Sequence, residues 1–326
     1  MKELKERILG AVAGDLAEIE EALRKGLDPY LSLVSDVAQY ILFSGGKRIR
    51  PLLMVLSARL CGYKGNGDKA VSVMFEYLHA ATLLHDDVVD GADIRRGKKV
   101  SHSIWGNPTT VLVGDFLLAK TISTAADTGR VEVVKIMTEA TAQMSEGEIH
   151  QLLNKQKIDM DEAEYTEIIR RKTTCLIQAA CRVGAILANA SGEKKKAMSD
   201  YGYNLGIAFQ MVDDLLDYTA DTKVLGKSIG SDLREGKMTL PVIYALNNAD
   251  GKVRKRMEEI IRDRASSDSA LNEMVGYLEK YGGLAYTANQ ASRHINKAKE
   301  NLALFEDCET KRILTDLADY TIKRKA

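Results

Sequence analysis

The chain has 326 residues, 45 % of them hydrophobic, enough for a large core and, by length alone, for one domain or two. Its 46 Lys and Arg balance 46 Asp and Glu, so there is no basic footprint for nucleic acid and bulk charge does not select the partner. Cys61, Cys175, Cys181 and Cys308 form no Cys-x-x-Cys pair and no even framework, which fits buried thiols in a reducing compartment.

The first residues, Met1-Lys2-Glu3-Leu4-Lys5-Glu6-Arg7, are charged and amphipathic and lack the apolar core and small-residue cleavage site of a secretion signal. No apolar run approaches the roughly 18 residues a membrane span needs, so a cytoplasmic, at most peripheral, protein is expected. Apolar residues recur at three- and four-residue spacing without sustained alternation, which predicts an all-α fold. The spacing places helices over 2–25, 30–43, 50–62, 68–91, 108–127, 130–154, 161–190 and 193–220, then shorter ones over 240–248, 252–263, 268–280, 283–304 and 309–322. Pro29, Pro51, Pro108 and Pro241 each fall where one of these would begin. Glycine-containing breaks such as 62–67 and 91–106 separate the helices, and no Ser/Gly- or Pro-rich linker divides them. A single domain over 1–326, a large helical bundle with a central apolar cavity, is the expected architecture.

Two acidic motifs stand out. Asp86-Asp87-Val88-Val89-Asp90 ends an apolar segment with no turn residue from Val71 onward, and Asp213-Asp214-Leu215-Leu216-Asp217 repeats the spacing after Phe209-Gln210. On a helix, positions i, i+1 and i+4 put three carboxylates on roughly one side. Like charges that close raise one another's pKa and weaken the helix, so such a triad calls for a cation. One motif alone reads as a solvated acidic helix end; two in the same helical context argue for a shared site. Oxygen-only ligands suit Mg2+, which keeps waters and bridges to substrate phosphates, and with His85 the only histidine at an acidic motif a zinc site is not expected. Two facing triads would clamp a diphosphate. A basic complement is present in Gly45-Gly46-Lys47-Arg48-Ile49-Arg50-Pro51, Arg95-Arg96, Arg171-Lys172-Thr173, Lys227 and Lys237.

At these residues the chain resembles the trans-isoprenyl diphosphate synthases of the polyprenyl synthetase family, and the resemblance covers nearly its whole length. It rests on the Gly-Gly-Lys-Arg-Ile-Arg-Pro loop, Leu-Leu-His-Asp-Asp-Val-Val-Asp with Arg-Arg-Gly, Val-Gly-Asp-Phe at 113–116, Lys172-Thr173, Phe-Gln-x-x-Asp-Asp-x-x-Asp, Leu-Gly-Lys at 225–227 and Gly-Lys-x-Thr-Leu-Pro at 236–241, all in order. Within the family it is most similar to the bacterial octaprenyl branch, which makes quinone side chains. The resemblance implies Mg2+, three ions per site, held by Asp86, Asp90 and Asp213, with Asp87, Asp214 and Asp217 supporting directly or through water. It implies that an allylic diphosphate ionises, that the double bond of isopentenyl diphosphate attacks the allylic cation, and that proton loss, with departing diphosphate as acceptor, completes each extension. Lys47, Arg50, His79 and Arg96 would bind isopentenyl diphosphate. Arg95, Lys172, Thr173, Gln210, Lys227 and Lys237 would contact or cover the allylic diphosphate. Asp86, Asp87, Asp90, Arg95, Lys172, Asp213 and Lys227 would carry catalysis, and closure of the 227–237 loop would exclude water from the cation.

In the family, bulky residues four and five positions before the first Asp stop chain growth; here Thr82 and Ala81 leave the channel open. Candidates for a deeper floor are Phe75, Met137, Met74 and Met144, each of which also reads as ordinary core. A product shorter than octaprenyl, a terpene cyclase of the same fold, and a non-catalytic partner subunit are the other readings. Arg95-Arg96 and the complete second triad weigh against the cyclase, and both intact motifs weigh against the partner subunit. The primer would be farnesyl or geranylgeranyl diphosphate. The resemblance also implies a homodimer, usually built through the 108–154 region. Its apolar product would be delivered to a membrane, although no basic amphipathic stretch encodes peripheral contact.

Overall fold

Apolar stripes at helical spacing need partners, and here the helices supply them to one another. The computed structural model describes residues 2–91, 93–95, 97–219, 230–263 and 267–324. Helices α1 (Lys2–Gly26), α2 (Ser32–Leu42), α3 (Ile49–Leu60), α4 (Asp68–Ser72) and α5 (Met74–Asp90) lead to a small antiparallel hairpin, β1 (Ile94–Arg95) with β2 (Lys98–Lys99). Then follow α6 (Ser101–Asp127), α7 (Val131–Leu153), α8 (Glu162–Ile169), a π-helical turn (Arg170–Thr174), α9 (Cys175–Leu187) and α10 (Gly192–Thr219). The last helices are α11 (Ser231–Arg234), α12 (Leu240–Asn248), α13 (Gly251–Arg262), α14 (Asp268–Lys280), α15 (Gly283–Asn301), a 3-10 turn (Leu302–Leu304) and α16 (Glu309–Lys323).

The all-α expectation holds, with local departures. Segment 68–91 is divided at Val73, and 161–190 is divided by the π turn. The helix expected from 108 begins at Ser101, bends where Gly106 takes φ 79°, and resumes at Pro108. The hairpin and α11 were not expected, because two-residue strands and a four-residue helix are too short to show a period. Helix α2 begins at Ser32, leaving Pro29 ahead of it and Tyr30 wholly exposed.

The centre is α3 against α9 and α9 against α10, with α15 and α16 also on α10. Leu52 through Ala58 are all buried, which suits a helix enclosed on every side. Close approach there depends on Gly184 of α9: an added Cβ would lie 2.3 Å from the Met54 carbonyl oxygen, a backbone atom unable to move alone. Gly184→Ala is therefore expected to destabilise the fold by about 1–3 kcal/mol through overpacking, read as a lower denaturation midpoint at unchanged slope.

Candidate active site

Asp86 and Asp90 sit one turn apart at the C-terminal end of α5, where the helix dipole adds to their repulsion. Asp87, between them in sequence, is buried at 1 % exposure, and its Oδ1 accepts from Arg95 Nε at 2.8 Å and lies 2.7 Å from Arg95 Nη2. Burial, and then the charges of Glu148 and Asp90, push the Asp86 carboxyl up to about 6, with Lys172 and Arg95 only partly offsetting them. Lys155 Nζ is 3.6 Å from Asp90 Oδ1.

The second motif lies on α10. Arg324, just past α16, brings Nη2 to 2.6 Å from Asp213 Oδ1, donates to the Phe209 carbonyl at 2.8 Å, and lies 4.1 Å from the Phe209 ring centroid. Burial raises the Asp213 pKa against the opposing pull of Arg324. Asp214 is buried and accepts from the Tyr165 hydroxyl at 2.6 Å and from Gln210 Nε2 at 2.9 Å. Its pKa is raised by burial and then by Asp232. Asp217 accepts from Ser231 Oγ at 2.6 Å and from the Asp232 amide at 3.0 Å, anchoring the start of α11.

Lysines join the two motifs. Lys172 Nζ lies 2.5 Å from Glu148 Oε2 and 2.6 Å from Gln151 Oε1, and Thr173 Oγ1 donates to Gln210 Oε1 at 2.9 Å. Burial disfavours the Lys237 ammonium, but Asp232, Glu235 and Asp90 outweigh it and raise its pKa. Lys237 thus feels both Asp90 of the first motif and Asp232 beside the second. A cleft of about 90 Å³ is lined by Gln151, Lys172, Thr173, Gln210, Asp214 and Lys237, among others.

The 45–50 loop is pinned by the arginine the sequence did not single out. Arg48, in the left-handed region at φ 50°, is buried and donates to Glu20 at 2.6 Å, to Glu76 of α5 at 3.0 Å and to the Leu42 carbonyl at 2.6 Å. Lys47 is exposed and Arg50 half-buried beside it. A second, apolar cleft of about 30 Å³ has Lys47 and Arg324 on its wall. His79 is half-buried on α5, two turns before Asp86. Arg96 and Lys227 lie outside the described residues.

Of the channel candidates, Ala81, Phe75, Met74, Met137 and Met144 are buried, and Thr82, half-buried, bonds the His79 carbonyl of its own helix at 2.9 Å. Sequence reasoning missed Glu148, Gln151, Lys155, Tyr165, Asp232 and Arg324. Asp232 alone carried a signal, as a further acid between the second motif and Lys237. Among the described residues no three His, Cys, Asp or Glu side chains converge to hold one ion by themselves. The oxygen donors present suit a cation bound through one or two carboxylates, waters and substrate phosphates, and Asp86, raised first by burial and then by the charges of Glu148 and Asp90, is a carboxylate whose ionised form such a cation would favour. No helix among the described residues is long and apolar enough to cross a membrane.

Residues 31–278, well over half the chain, match the model of the polyprenyl synthetase family. The octaprenyl diphosphate synthase of Escherichia coli K12 is 37 % identical over 319 residues, covering 98 % of each chain. A geranylgeranyl diphosphate synthase of Methanosarcina mazei is 36 % identical over 88 % of this chain and 89 % of its own. The crystal structure of a polyprenyl synthase from Caulobacter crescentus, complexed with calcium and isoprenyl diphosphate, superposes with a TM-score of 0.92 at 36 % identity over 98 % of both chains. The chain belongs to the polyprenyl synthetase family and is a prenyltransferase.

Proposed function

We propose that this chain, acting as a single-domain enzyme, condenses isopentenyl diphosphate repeatedly with an allylic diphosphate primer, farnesyl or geranylgeranyl, to give an all-trans octaprenyl diphosphate for quinone side chains. The observation that carries the reading is that Lys172 and Lys237, which line one cleft with Thr173, Gln210 and Asp214 of the second motif, also interact with Asp86 and Asp90 of the first. Asp86 and Asp90 from one side and Asp213 from the other would hold magnesium, which when bound neutralises charge building on the leaving diphosphate. Asp87 orients Arg95, and Asp214 and Asp217 brace Gln210 and α11. Lys172 and Lys237, fixed beside their carboxylates, offer preorganised positive charge where the diphosphate departs, stabilising that charge more than the ground state. Arg48 holds the loop that presents Lys47 and Arg50 to the second diphosphate.

The octaprenyl length is supported by similarity to the Escherichia coli enzyme and by small Ala81 and Thr82 near the first motif. Exposed Val111, Leu112, Val131 and Leu153 on α6 and α7 support a homodimer through that region, which light scattering would test. Chain length is tested by incubating the protein with Mg2+, farnesyl diphosphate and labelled isopentenyl diphosphate and separating the dephosphorylated products. A dominant octaprenol band is the expected result; a farnesol or geranylgeraniol limit would refute that length.

A further inference from the structure

We propose that Gly147 and Gly206, each with the glutamine four residues after it, form two clamps that hold the π turn Arg170–Thr174 and thereby position Lys172 and Thr173 for a diphosphate; this deepens the function proposed above and rests on it. A π turn closes i to i+5 and spreads one revolution over more residues than an α turn, so successive side chains diverge less around the axis. Lys172 and Thr173, adjacent in sequence, accordingly both line the same cleft. The wider turn pushes its backbone outward against α7 and α10. A Cβ on Gly147 would lie 2.6 Å from the Lys172 nitrogen and 2.8 Å from Arg171 Cβ, and one on Gly206 would lie 2.9 Å from Thr174 Cα. Neither glycine has a positive φ, so what each supplies is space.

The two flanking helices repeat one pattern. Gly147-Glu148-Ile149-His150-Gln151 on α7 and Gly206-Ile207-Ala208-Phe209-Gln210 on α10 both read Gly-x-x-x-Gln, which puts the glutamine one turn on along the same face. Gln151 Oε1 accepts from Lys172 Nζ at 2.6 Å, and Gln210 Oε1 accepts from Thr173 Oγ1 at 2.9 Å. Gln210 then donates to Asp214 Oδ1 at 2.9 Å, tying the turn to the second aspartate motif. Each helix thus gives way to the bulge at its glycine and grips a displaced side chain at its glutamine. The Lys172 ammonium has three donors, so with Gln151 and Glu148 engaged it retains capacity for an anion.

The test is calorimetric titration of the full chain with inorganic diphosphate in Mg2+, together with steady-state kinetics in both substrates. Gln151→Leu removes one grip without adding bulk, and Gly147→Ala intrudes on the turn; each is expected to weaken diphosphate binding about tenfold or more, the scale of a lost charge-assisted hydrogen bond. The KM for the allylic diphosphate rises by a similar factor while the KM for isopentenyl diphosphate stays put, a split that general loss of fold would not produce. Gly10→Ala, where an added Cβ meets nothing within 4 Å, should behave as wild type. If Gly147→Ala fails to fold, Gln151→Leu decides. A folded Gln151→Leu chain that binds diphosphate as tightly as wild type, or in which both KM values rise together, would overturn the clamps and leave the functional reading standing. A wild-type chain that binds diphosphate yet condenses nothing would do the reverse, and one that binds no diphosphate would overturn both.

Discussion

Asp86→Asn is expected to slow condensation by on the order of a thousandfold and at the same time to make the metal-free protein more stable at pH 8. Both effects come from one carboxylate. Its pKa is raised from 3.8 to about 6, first by burial and then by Glu148 and Asp90, so the folded chain holds a proton there that the unfolded chain has released. The stability this contributes is fully present below about pH 4 and is lost as pH rises through about 6. At pH 8 the ionised group sits where charge is disfavoured, at a cost of about 1–3 kcal/mol that asparagine relieves. Thermal melts at pH 8 without metal should rank the variant above wild type; at pH 4 the difference should vanish. Added Mg2+ should raise the wild-type melting temperature and narrow the gap. A variant less stable than wild type at pH 8 would show that Asp86 is held for structure rather than poised for a cation.

Ala81→Tyr is expected to shorten the product to geranylgeranyl length or below. At about 1.5 Å per residue, Ala81 lies about 7–8 Å along α5 from Asp86, little more than one isoprene unit from where the diphosphate is held. A fully extended octaprenyl chain of roughly 35–40 Å would pass it and outrun the 17 residues of α5, which span about 25 Å. A phenol ring there meets the tail after few additions, and each further addition is then opposed by steric clash. Overpacking would lower the amount of folded enzyme but not change the length each enzyme releases, so product chromatography separates the two effects. Unchanged product length would place the channel away from this face of α5.

What the sequence made legible was chemistry written locally. Asp86 and Asp90, four residues apart, must share a helix face, and a loop with two glycines before a helix can offer Lys47 and Arg50 whatever surrounds it. What the spacing rule could not show for Asp87 is its partner: Arg95, on β1, holds its buried carboxylate. Arg48 reads like its neighbours until burial separates it from them. Arg324 and Tyr165 reach the second motif from 111 and 49 positions away, and separations of that size leave no trace in periodicity. The π turn stayed hidden because one extra residue in a turn scarcely disturbs an apolar stripe, while its causes, Gly147 and Gly206, lie on other helices.

The central claim is that the two aspartate motifs work as one magnesium-dependent clamp in this chain acting alone. Its most direct test is incorporation of labelled isopentenyl diphosphate into a farnesyl primer by the purified protein, assayed with Mg2+, after chelation, and after Mg2+ is restored. Incorporation that is lost on chelation and recovered on restoration is the expected result. Incorporation indifferent to the chelator, or none from the chain alone with Mg2+ present, would contradict it.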